Sequence, residues 1–266
     1  MRCRAALVAP LLAALLASAV AAAAQELPPG LKSARLLPAY PTAEGNWMTA
    51  LRLELQPGWK TYWRSPGDSG VPPGFDWDGA GNIGAATLHW PVPEIIESAG
   101  ERTLGYHGAL VLPIEITPAT PGAPVTGRVG VELGLCESIC VPAHLTLDAP
   151  SLADTPDPGI EAALAQVPQP QPALLDCRVT EIEDGLRVAV SAPATGGNQI
   201  AAALEHDGGE IWVSAPELSE AGGRITATSD FVAPSGKPFA LDRGAVRLTL
   251  VDGTGGAIEY QGCGPA

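Results

Sequence analysis

The sequence predicts an all-β protein made of two immunoglobulin-like antiparallel β-sandwich domains. Three observations carry that expectation. The 266 residues include 31 Gly and 27 Pro, which interrupt nearly every stretch and exclude a helical bundle, a coiled coil or a helical repeat. Between these breakers lie short runs in which apolar residues alternate with polar ones, the period of a half-buried strand. The runs recur at the short spacing of a sandwich, in two blocks separated by a Pro-rich stretch.

The elements follow in chain order. Met1-Arg2-Cys3-Arg4 is a short basic start, the run from Ala5 to Ala17 is apolar, and Ala22-Ala23-Ala24 supplies small residues for a peptidase. Residues 1–24 therefore read as a secretory signal peptide, cleaved between Ala24 and Gln25. The apolar run is short and lacks a charged stop, which weighs against a membrane anchor, and no later segment is apolar enough to span a bilayer. The first sandwich is expected over 25–150. Leu51, Leu53 and Leu55 share one face of a strand from Trp47, and Leu110, Leu112, Ile114 and Ile116 share another between Ala109 and Thr117. Val129, Val131 and Leu133 form a third face, Leu145 and Leu147 a fourth. Residues 151–172 read as a connector with one short helix, Gly159 to Val167, ending in the extended linker Pro168-Gln169-Pro170-Gln171-Pro172. The second sandwich is expected over 173–266. In it Val179–Ile182 and Leu186–Val190 flank the hairpin signal Asp184-Gly185, and Val246, Leu248 and Leu250 face one way before Ile258.

The net charge is −14, and loss of Arg2 and Arg4 with the signal makes the exported chain more acidic still. A nucleic-acid partner is not expected, because phosphate contacts need a basic face, and neither is an anionic membrane surface. Four cysteines remain after cleavage: Cys136, Cys140, Cys177 and Cys263. An even count in an exported chain suggests disulfides, with three pairings possible. Spacing favours a local pair, Cys136 with Cys140, and a long-range pair, Cys177 with Cys263. The long-range bridge would tie the two ends of the second block and is read as structural, contributing about 2–4 kcal/mol.

The local pair is the chemically informative feature. It lies in Leu133-Gly134-Leu135-Cys136-Glu137-Ser138-Ile139-Cys140-Val141-Pro142-Ala143-His144. A loop this small removes little chain entropy, so the bridge has little structural value, which points to a redox role. A metal alternative uses Cys136, Cys140 and His144, whose spacing suits a soft metal. Glu137 disfavours a thiolate beside it, and no Lys or Arg follows or precedes closely enough in sequence to offset it. The reduced pair is therefore expected to be a sluggish nucleophile, suited to a carrier that reacts within a complex.

Four segments in order carry a family resemblance: Gly58-Trp59-Lys60-Thr61-Tyr62-Trp63-Arg64-Ser65-Pro66-Gly67-Asp68-Ser69-Gly70-Val71-Pro72-Pro73, then Trp90-Pro91-Val92-Pro93, then Gly105-Tyr106-His107-Gly108 with Val111-Leu112-Pro113, then Cys136 to Ala143. The first block resembles the periplasmic N-terminal domain of the thiol:disulfide interchange protein DsbD family, in the form found in suppressor-of-copper-sensitivity (ScsB-type) proteins. The second block resembles the further sandwich of the ScsB type, with weaker motifs. The resemblance implies a periplasmic protein-disulfide reductase component without a cofactor. In it Cys136 and Cys140 would take electrons from a thioredoxin-like donor, itself supplied by a membrane electron-conducting protein, and pass them to exported substrate proteins. Cys140 would form the mixed disulfide. The family also shields its pair with a cap loop, for which the Trp59–Pro73 segment is the candidate. Tyr62, Trp63, Tyr106 and His107 are candidate substrate-facing or capping residues, the alternative being core aromatics plus a turn. Two departures stand out. DsbD separates its cysteines by more than the three residues found here, and the sequence carries no conduit or thioredoxin-like domain after the second sandwich, so the electrons are expected to come from separate proteins. The competing reading is a non-catalytic binding or copper-tolerance module of the bacterial envelope.

Overall fold

The structure is a computed structural model that describes residues 27–98, 100–194, 199–208 and 210–264. The signal segment 1–24 and its cleavage point lie outside the described residues. Strand alternation places the expected faces inward. In the first sandwich, Trp47–Leu55 pairs with Leu31–Leu36 on one side and with Ala109–Thr117 on the other, and Ala85–Leu88 extends the sheet beyond Ala109–Thr117. The facing sheet runs Cys140–Asp148, Thr126–Cys136, Lys60–Tyr62, Glu101–His107, Glu94–Ser98. Two short strands, Gly74–Asp76 and Ala80–Gly81, also pair with Thr126–Cys136. Leu51, Leu53, Leu112 and Ile114 meet Val129, Val131, Leu133 and Leu135 in the core between the sheets. Burial of such side chains stabilises by about 1.5–3 kcal/mol each, before the entropy of ordering them is subtracted.

The outer face of Trp47–Leu55 is also covered. Met48 and Ala50 pack with Leu37, Tyr40 and Ile160, the last from the helix Pro158–Leu164. That helix starts where Asp157 accepts hydrogen bonds from the Gly159 and Ile160 amides, with Pro158 at its first position. It is shorter than the expected Gly159–Val167. Tyr40 donates its hydroxyl to the Glu161 carboxylate, and burial first, then that acidic partner, pushes the phenol far above its ordinary pKa.

The 151–172 connector differs from the linker expected there. Leu152 bridges to Ala39, and the Val92 amide donates to the Gln166 carbonyl, so the chain stays bound to the first sandwich through the helix. Gln169–Gln171 then joins the second sandwich as a strand parallel to Ala257–Gln261. The alternating prolines hold it extended, and edge pairing accepts proline because one side of an edge strand needs no N–H donor. The rest of that sheet is Val246–Asp252 and Gln199–His206. Opposite it, Asp176–Ile182 and Gly185–Pro193 form the expected hairpin, followed by Arg224–Val232 with Trp212–Val213 and Glu217–Ala221. The turn falls on Glu183-Asp184, one residue earlier than expected, because Ile182 pairs with Gly185. Gly185 serves close packing instead: a Cβ there would meet the Phe231 carbonyl oxygen at 2.1 Å.

The two sandwiches meet through Arg64. Its guanidinium stacks 4.2 Å over Trp63 and reaches Glu205, Glu259 and Thr249 of the second sandwich. Burial opposes the Arg64 charge, but the Glu205 and Glu259 carboxylates outweigh it and raise its pKa. Ala201, Ala203, Val251 and Ala257 extend the apolar core of the first sandwich across this junction.

Candidate functional site

Cys136 ends one strand of a hairpin and Cys140 begins the next, and the two are register partners. The three residues between them make the turn, closed by the Glu137 amide donating to the Ile139 carbonyl. This brings the sulfurs together in a disulfide. The two ends of the bond are unlike. Cys136 is 1% exposed, whereas Cys140 is exposed beside Ile139, itself 67% exposed.

Strand pairing builds the surroundings. Lys60 of Lys60–Tyr62 is the direct partner of Cys136. Lys60 and Tyr62 are two apart on one strand, so both share the face of Cys136. Tyr62 Oη lies 3.0 Å from Cys136 Sγ and 3.6 Å from Cys140 Sγ. Tyr62 is 2% exposed, and burial raises its pKa, so the phenol stays protonated and donates towards sulfur. Its ring fits because residue 134 is glycine: a Cβ there would stand 3.0 Å from Tyr62 Cδ2 and 3.1 Å from Val71 Cβ.

A cavity of about 190 Å³ opens beside the bond, lined by Lys60, Tyr62, Ser69, Ser98, Glu101, Thr103, Glu137 and Ser138 with both cysteines. The loop 66–73 forms one wall. Val71 packs over Gly134, Gly70 comes against Tyr62, and the Ser69 hydroxyl donates to Glu101. The same loop is tied to the second sandwich: Asp68 Oδ1 accepts from the Ala215 amide at 2.7 Å. It also lines a cleft of about 1070 Å³ between the sandwiches.

The four aromatic and imidazole candidates separate by strand face. Tyr62 touches the sulfurs. Trp63, next in sequence, points to the opposite face, is 0% exposed and sits in the core. Tyr106 is also a core residue, its hydroxyl donating to the Pro91 carbonyl. Neither Trp63 nor Tyr106 faces a substrate, since each lies between the sheets. His107 is exposed, stands opposite Lys60 and pairs with Glu94 at 2.8 Å. The metal alternative is not assembled. The Cys136 and Cys140 sulfurs are bonded to each other, and His144, four residues along the strand from Cys140, pairs with Glu132. Among the described residues no three His, Cys, Asp or Glu side chains are placed to hold a metal ion.

Sequence reasoning missed Lys60 as an electrostatic neighbour. It found no cation near the thiols because it looked along the chain, and Lys60 arrives by pairing across the sheet. The clue was its place in the Gly58–Pro73 motif. Glu137 is exposed and its carboxylate lies over Gly58, where a Cβ would come within 3.0 Å and φ is +84°.

Cys177 and Cys263 form the second disulfide, 86 residues apart in sequence. Both pack against the core of the second sandwich. Arg243 donates to the Cys177 and Gly264 carbonyls beside it.

Comparison with known proteins finds a family-model match over the first sandwich and a solved structure of similar fold. Residues 33–151 match the family model described as thiol:disulfide interchange protein DsbD, N-terminal. The crystal structure of the N-terminal periplasmic domain of ScsB from Proteus mirabilis superposes with a TM-score of 0.60 at 23% identity, covering 86% of this chain and 92% of that one. At that identity the likeness shows the fold, and its coverage includes both sandwiches. A search of curated proteins found no match. No helix among the described residues is long and apolar enough to cross a membrane.

Proposed function

From the match over residues 33–151, we propose that this chain is a periplasmic thiol-disulfide interchange protein. It relays reducing equivalents through Cys136 and Cys140 from a thioredoxin-like donor to exported substrate proteins, and a membrane electron-conducting protein supplies the donor. The observation that carries this reading is the asymmetry of the bridge: one sulfur belongs to an exposed residue, the other to a buried one backed by Tyr62.

An incoming donor thiolate attacks Cys140 Sγ. A donor–Cys140 disulfide forms as the Cys136–Cys140 bond breaks, and the bonding pair leaves on Cys136 Sγ. A second donor thiolate then attacks the donor sulfur of the mixed disulfide and releases Cys140 as a thiolate. The donor is oxidised by two electrons and the pair is reduced by two. The reverse sequence on a substrate disulfide returns the bridge. The loop 66–73 and the cavity beside the bond limit which thiols gain access.

The test is a redox titration of the mature protein against glutathione, read by thiol alkylation and mass mapping. Cys136 and Cys140 should titrate together as a two-electron couple while Cys177 and Cys263 stay bridged. A local pair that remains oxidised under strong reductant overturns the function. A Cys140→Ser variant that still reduces a partner catalytically overturns the assigned order of attack.

A further inference from the structure

We propose that Lys60 stabilises the thiolate released on Cys136 when the bridge opens, setting the reactivity of the pair. This role rests on the interchange function above and goes beyond it by assigning the group that holds the leaving charge.

Three observations converge on Lys60. It is the direct cross-strand partner of Cys136, which puts the two Cβ atoms on one face roughly 5 Å apart. It lines the same cavity as both sulfurs. It is only 8% exposed, and among the described residues its side chain makes no ion pair; its ammonium lies 5.9 Å from the centre of the Tyr62 ring. Holding an ammonium so close to burial without a carboxylate on it costs free energy. That cost falls when an anion forms beside it, and the anion that forms here is the Cys136 thiolate. The closed bridge is neutral. Attack on Cys140 Sγ makes one S–S bond and breaks another, leaving the electron pair and one negative charge on Cys136 Sγ. No proton moves in that step. Lys60 opposes the new charge and Tyr62 donates a hydrogen bond to it.

The remaining charged groups make the cation consequential. Glu101 and Glu137 line the cavity and disfavour a thiolate. His107 faces Lys60 from the next strand but is paired with Glu94. Glu132 and His144 pair with each other farther along the sheet. Asp68 of the covering loop turns to the Ala215 amide. Lys60 is thus the cation set directly against Cys136.

The experiment compares the parent protein with Lys60→Met and Lys60→Arg. The reduced pair is alkylated with iodoacetamide from pH 6 to 10, and the adduct at each cysteine is mapped by mass. Lys60→Met should raise the Cys136 midpoint by about one unit, about tenfold less thiolate at neutral pH. Lys60→Arg should keep the parent profile, because the charge is retained. Far-UV circular dichroism and the Cys177–Cys263 bridge should not change. If the Met variant does not fold, Lys60→Gln removes the same charge with a polar side chain. His107→Gln should leave the profile in place. A neutral variant that superposes on the parent, or a shift that His107→Gln reproduces in full, overturns the proposal. The parent separates the two levels. If its bridge resists glutathione, the interchange function fails; if it opens and the neutral variant matches it, only the role of Lys60 fails.

Discussion

The chain holds two disulfides, and their surroundings differ in every respect that matters. Cys177–Cys263 encloses nearly the whole second sandwich and packs against its core. Cys136–Cys140 encloses three residues at a hairpin tip, with one cysteine exposed and a cavity, a phenol and an ammonium beside it. The covalent bond is the same. What differs is the chain entropy each removes from the unfolded state and the access each gives to a thiol. The long loop makes a staple. The short loop stabilises little, and its surroundings are the ones the proposed interchange uses.

The comparison breaks first if stability does not follow loop length. Replacing Cys177 and Cys263 together by Ala should cost about 2–4 kcal/mol in urea unfolding. Replacing Cys136 and Cys140 together should cost clearly less in the same assay. The next effect is kinetic. Under mild dithiothreitol in native buffer, the hairpin bridge should be reduced at least about tenfold faster than the long-range one, because Cys140 is exposed whereas Cys177 and Cys263 are both partly covered against a core. Timed alkylation reads both rates in one sample.

Tyr62→Phe sharpens the account of the hairpin bridge. It removes the donor 3.0 Å from Cys136 Sγ while keeping the ring over Gly134. A hydrogen bond to a charged group contributes about 1.5 kcal/mol or more, so the Cys136 thiolate fraction at neutral pH should fall about tenfold. The second bridge should be reduced at the parent's rate. The smallest effect belongs to the loop over the site. Asp68→Ala removes the hydrogen bond from Ala215, worth about 1 kcal/mol. Reduction of the hairpin bridge should then speed up by about two- to fivefold, with the rate for Cys177–Cys263 unchanged. An unaltered rate would mean that the tie to the second sandwich does not restrain the loop.

Much of the framework was legible because apolar alternation is a local signal. Trp47–Leu55 and Ala109–Thr117 begin and end at the expected residues, since each buries a continuous row of side chains between the sheets. Lys60–Tyr62 was not legible as a strand. It has three residues, all buried, and so shows no alternation between exposed and covered positions. Glu101–His107 carries four consecutive buried residues and hides its period in the same way. Composition predicts an extended linker over the Pro-rich 168–172 stretch, but pairing of Gln169–Gln171 with Ala257–Gln261 is a property of the partner as much as of the segment.

The sequence by itself determined the β class, the two sandwiches, and the pairing of Cys136 with Cys140 in a local bridge, because composition, period and spacing are all written along the chain. Only the tertiary structure decided which of Tyr62 and Trp63 meets the sulfurs. Adjacent residues on a strand face opposite ways, and the choice between the two faces is made by what the strand packs against. It decided, too, that Cys140 and not Cys136 lies open, and that Lys60 sits against Cys136. Electrostatic influence falls with distance through space, and the pairing of strands far apart in sequence sets that distance.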